Sequence, residues 1–185
     1  MSRGAASWIV AQAGTGGLHR GLDAHIHVDS VAFWGFVATV VMTTILSVSQ
    51  GLRFTRMSFP LMLGTMVSAD WERAKMYGFA MHLLNGWLFS IVYALAFETW
   101  DRATWWLGGG IGLIHGIFVV SAILPLLPAI HPRMARPYQQ SDEPMLLEPP
   151  GFMGLNYGRE TPLITIAAHV VYGAILGSFY QLTVR

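Results

Sequence analysis

The chain contains no cysteine. Disulfides, thiolate metal sites and a cysteine nucleophile are thereby excluded, and the redox compartment stays open. Charge is scarce as well. Lys and Arg number 11 and Asp and Glu 10, and charged residues make up 11% of the 185 residues, where a soluble domain has about a quarter. With a net charge of +1 and scattered basic residues, nothing points to nucleic acid. There is no Gly-rich phosphate loop, no G-x-S-x-G elbow and no charged catalytic pair within an apolar run. The expectation is a protein that is not an enzyme. After Arg3 the apolar stretch AASWIVAQA is short and runs into Gly-rich, charged sequence, which does not read as a signal peptide.

Apolar residues are what the chain has in excess: 54% are hydrophobic, with seven Trp. So few polar residues cannot cover a globule of this size, and the surplus must face something other than water. Four stretches are long enough to cross roughly 30 Å of hydrocarbon at about 1.5 Å per residue. They are residues 31–49, 76–97, 104–127 and 161–182, the last with Thr161 as N-cap and Pro162 at the first helical position. The expected architecture is all-α: an integral membrane four-helix bundle over 31–182, preceded by an extramembrane segment, 1–30. The short turn ETWDRA makes the second and third spans antiparallel neighbours. The longer connections, 51–75 and 129–160, each hold a short apolar patch running from Pro to Gly, Pro60 to Gly64 and Pro150 to Gly154. Patches this short suit the membrane interface.

Two of the spans match in frame. HLLNGWLFSIVYAL from His82 and HVVYGAILGSFYQL from His169 share His, Gly four on, Tyr eleven on and Leu thirteen on. With the matched loops, and with Asp29 and Trp34 echoed by Asp101 and Trp106, this suggests a duplicated two-helix hairpin. Basic residues bias the orientation. Arg53, Arg56, Arg73, Lys75, Arg133, Arg136 and Arg159 lie on the long connections, against Arg20, Arg102 and Arg185 on the other side. The positive-inside tendency puts both long loops in the cytoplasm and both termini outside.

Each span has one small or polar face. At 100° per residue, His82, Gly86 and Tyr93 share an arc, as do His169, Gly173 and Tyr180. Gly108, Gly112 and His115 align in the third span, and Gly35, Thr39, Thr43 and Ser47 in the first. Small residues at such spacing let membrane helices approach closely, so Gly35, Thr39, Thr43, Gly86, Gly108, Gly112 and Gly173 are expected at helix crossings. An ionisable residue within a span normally faces the bundle interior. His82, His115 and His169, with Tyr93 and Tyr180, therefore form a candidate intramembrane polar site. Three readings stay open for the histidines: hydrogen bonding between helices, ligation of a metal ion or haem, and a proton or solute path. The segment GLHRGLDAHIHVDS before the first span offers His25 and His27 as weaker metal-ligand candidates, beside the plainer reading of a solvated juxtamembrane stretch.

The segments GFVATVVMT, MHLLNGWLFSIVYAL, GGGIGLIHGIFVVSAILPLLP and AAHVVYG resemble bacterial four-helix inner-membrane proteins of unknown function, including the YagU-like proteins. The resemblance covers about residues 31–182. It implies a multi-pass protein of a bacterial cytoplasmic membrane with a histidine in each of the last three spans, at His82, His115 and His169, and it implies no reaction. The often basic tails of such proteins would place the termini in the cytoplasm, against the loop count. Two functional expectations follow. One is a metal, haem, small-ligand or proton site built from the histidines. The alternative is a structural or accessory subunit, as a homo-oligomer or within a larger membrane complex, whose small-residue faces serve packing.

Overall fold

The computed structural model describes residues 26–135 and 146–183. His25, Arg20, Arg136 and Arg185 lie outside the described residues. Among those described there are helices and no strands. We label α1 Val28–Gly51, α2 Phe59–Gly64, α3 Trp71–Thr99, α4 Trp105–Ile130 and α5 Thr161–Phe179. A short 3-10 helix, Phe152–Tyr157, precedes α5. Helices α1, α3, α4 and α5 are each long and apolar enough to cross a membrane.

The helix starts follow local chemistry. The Asp70 carboxylate accepts from the backbone N–H groups of Glu72 and Arg73, both at 3.0 Å, and these bonds hold its pKa below the usual carboxylate range. This cap starts α3 at Trp71, five residues before the expected Met76. Thr161 is not the N-cap of α5. Glu160 holds that position without a side-chain cap, because the Thr161 hydroxyl is buried against Thr55 Oγ1 at 2.7 Å. The last helix also ends at Phe179 rather than near Leu182.

Pairing follows the glycines. In α4 and α5, Gly108 meets Gly173, Gly112 meets the backbone at His169, and Gly177 meets the backbone at Thr104. In α1 and α3, Gly35 meets Ser90, Gly86 meets Thr39, and Thr43 meets His82. These contacts run in one frame. On α3 and α5 the partners stand 87 apart (82 to 169, 86 to 173, 90 to 177); on α1 and α4 they stand 69 apart (43 to 112, 39 to 108, 35 to 104). The echo of Asp29 and Trp34 in Asp101 and Trp106 is three residues out of this register, close to one helical turn.

Helices α3 and α4 are neighbours through side chains, Phe89 and Tyr93 against His115, but their backbones are not closely packed. Helix α4 lies along α5, α5 along α1, and α3 along α1 and α2. The physical reason is size: Gly108 and Gly112 of α4 match Gly173 and Gly177 of α5 at backbone distance, whereas Phe89, Tyr93 and His115 stand between α3 and α4. A side chain on Gly78 or Gly64 would run into the backbone of Pro60 or Ala74, so α2 seats directly on α3.

Helix α4 is not regular throughout. Residues Val119–Ile123 form a π-helical turn, and the Leu124 N–H reaches back to the Val119 carbonyl. Pro125 explains it, since its ring nitrogen has no proton for the Ser121 carbonyl and its ring would crowd that oxygen in a regular helix.

Candidate functional site

The three candidate histidines, His82, His115 and His169, come from three helices and line one cavity of about 270 Å³. His82 on α3 and His169 on α5 are buried, and His115 on α4 is partly buried. His115 and His169 are in ring contact, with centroids 4.7 Å apart and planes at 77°. Phe59, from α2, stacks over His82 at 5.9 Å, and Phe89 lies 4.1 Å from His115. The interfacial patch of the first loop thus supplies part of the wall.

Hydrogen bonds fix which nitrogen of each ring is committed. His169 Nδ1 lies 2.7 Å from the Thr165 carbonyl. A carbonyl only accepts, so Nδ1 carries the proton and Nε2 keeps a lone pair. The Thr43 hydroxyl donates to the Thr39 carbonyl at 2.7 Å, which spends its one proton. The 2.9 Å contact between Thr43 Oγ1 and His82 Nδ1 is therefore donated by His82. His115 Nδ1 meets the Tyr93 hydroxyl at 3.3 Å. In all three rings the engaged atom is Nδ1. Among the described residues no Asp, Glu, Lys or Arg lines the cavity, so an imidazolium there would be an unpaired charge among apolar groups, which favours neutral rings.

Tyr180 is a correction. It matches Tyr93 in frame, but α5 has ended and the chain turns extended at this residue. Its hydroxyl donates to the buried Glu98 carboxylate at 2.9 Å, at the opposite end of the bundle from the long loops. The same carboxylate accepts from the Thr183 N–H at 3.0 Å and hydroxyl at 3.2 Å. Burial first, and then Glu98, push the Tyr180 phenol up to about 12. Tyr180 belongs to this cluster and not to the cavity.

Tyr172 takes the place expected of Tyr180. It lines the cavity and donates to the Gly86 carbonyl at 2.6 Å, tying α5 to α3. A signal for it was present: Asn85 and Tyr172 occupy equivalent positions in HLLNG and HVVYG, and both line the cavity. His131, at the C-terminal end of α4, is fully buried. Its Nε2 bonds the Met62 carbonyl at 2.9 Å and its Nδ1 accepts from the Arg133 N–H at 3.1 Å, which joins the end of α4 to α2. Nearby, Tyr157 is pushed up to about 12, first by burial and next by Glu148.

Among the described residues no three His, Cys, Asp or Glu side chains are placed to hold a metal ion together. That includes His82, His115 and His169 as they stand. His27 lies 3.9 Å from Asp29, and its partner candidate His25 is outside the described residues. The cavity is about twice the ~150 Å³ that takes benzene.

No family model, no curated protein and no solved structure matched this chain.

Proposed function

We propose that this chain is a multi-pass protein of a bacterial cytoplasmic membrane, built from a duplicated two-helix hairpin, that binds a small molecule within its histidine-lined interior. Kinship with the YagU-like inner-membrane proteins belongs to the same proposal and rests on the segments quoted above. The observation that carries the binding role is the convergence of three imidazoles from three helices on one cavity of about 270 Å³. Histidines kept only for packing would spend both nitrogens on the protein. Here the hydrogen bonds engage Nδ1 of each ring. The duplication is supported by helix contacts that repeat in one frame, and the membrane setting by exposed Leu84, Leu88, Val92, Ile114 and Leu163 on the outer faces.

The alternative role, a structural subunit that docks through small-residue faces, draws no support from those faces. Gly35, Gly86, Gly108, Gly112 and Gly173 are spent on contacts within the chain.

The test is binding of naphthalene, a neutral two-ring probe, to the purified protein in nanodiscs. It should raise the thermal midpoint of the wild type and leave Leu63→Trp, which fills the cavity, unmoved. A wild type indifferent to the probe overturns the binding reading. Metal analysis and an optical spectrum of the same preparation decide whether a metal or haem is carried.

A further inference from the structure

We infer that the cavity takes a neutral aromatic alcohol, a phenol or hydroquinone of one or two rings, which enters sideways from the hydrocarbon between α3 and α4. This rests on the binding role proposed above and names the class of ligand.

The route follows from where the walls are open. Helices α3 and α4 meet through side chains, Phe89 and Tyr93 against His115, and not at backbone distance, and the cavity lining on these two helices includes Asn85, Phe89 and Phe118, all exposed. Asn85 is the central residue of the 29-residue α3, and Phe118 stands near the middle of the 26-residue α4. The opening is therefore at mid-height, facing the core of the bilayer. A solute arriving there has first partitioned into lipid, which selects neutral and largely apolar molecules.

The donor follows from the tautomers. With Nδ1–H committed on His82 and His169, both Nε2 atoms are acceptors, and neither has a hydrogen-bond partner among the described residues. An acceptor left unpaired in apolar surroundings is costly, and a ligand hydroxyl relieves that cost. One water could bridge such nitrogens, but it would leave most of about 270 Å³ lined by Met42, Phe59, Phe89 and Phe118 without contacts. The flat shape follows from rings on both sides: Phe59 over His82, and Phe89 against His115. The size corresponds to one or two rings, given that about 150 Å³ takes benzene.

The experiment compares 2-naphthol with 2-methoxynaphthalene, which keeps the rings and the oxygen and loses the proton. Both are titrated against wild-type protein in nanodiscs, and naphthalene serves as the reference. The expected result is naphthol binding about tenfold tighter than the ether, with the Nε2 resonance of ¹⁵N-labelled His82 or His169 shifting only with naphthol. His82→Phe and His169→Phe should each bring the naphthol-to-ether affinity ratio down toward one. Should a variant not fold, the wild-type ratio still decides. Equal affinity for naphthol and ether, with naphthalene binding, overturns the donor assignment and leaves the binding role standing. No binding of any of the three overturns both.

Discussion

At the scale of single residues, Glu98 shows how the bundle handles a charge that composition makes rare. Its side chain is 1% exposed, and it accepts from Tyr180 and from two groups of Thr183. A buried carboxylate survives when its lone pairs are met, and here the partners come from the chain just after α5. The bonds fasten the end of α3 to the end of α5. Glu98→Ala would strand the Tyr180 and Thr183 donors, so it should destabilise the detergent-solubilised protein by about 1–3 kcal/mol, with Glu98→Gln losing less. Thermal unfolding of the two variants checks this. Wild-type stability in Glu98→Ala would show that water replaces the carboxylate without loss.

At the scale of helices, small residues decide which neighbours meet. Thr39 is 1% exposed and sits against Gly86, while Val40, beside it, is only partly buried. Thr39→Leu should therefore cost on the order of 1 kcal/mol more than Val40→Leu in detergent unfolding; equal tolerance at both sites would mean that the α1–α3 contact carries no weight. The same logic explains what the sequence could convey. Four apolar helices, the inward faces of His82, Gly86, His169 and Gly173, and the Gly108 and Gly112 stripe were legible, because hydropathy and a 3.6-residue period encode them directly. The choice of partner helix was not. The turn ETWDRA makes α3 and α4 antiparallel neighbours, and they touch through Phe89, Tyr93 and His115, yet the closer fit of glycine against glycine puts the backbone of α4 on α5. Nor could periodicity show Tyr180 leaving the helix, since that depends on Glu98, 82 residues away. The π-turn at Val119–Ile123 had a sequence cause, Pro125, whose consequence depends on how the helix yields around it.

At the scale of the whole molecule, the two ends of the bundle differ in charge, and that difference predicts an orientation. Arg53, Arg56, Arg73, Lys75, Arg133 and Arg159 lie on the end formed by the long connections, whereas Arg102 stands on the other among the described residues. Some of these cations have structural duties: Arg56 pairs with Glu148 at 3.1 Å and Arg133 donates to the Thr65 carbonyl at 2.8 Å. Those contacts do not remove the charge, so the positive-inside tendency predicts a cytoplasmic side for this end in the proposed membrane setting. The absence of cysteine makes the test direct, since a single introduced thiol is the only one on the chain. Ala69 precedes α3 on the long-loop end, Thr99 closes α3 on the other, and both are exposed. On intact spheroplasts a membrane-impermeant maleimide should label Thr99→Cys at once and Ala69→Cys only after lysis. The reverse pattern would invert the orientation and keep the four crossings. Equal labelling of both before lysis would mean that no membrane separates the two ends, and the crossings themselves would fall.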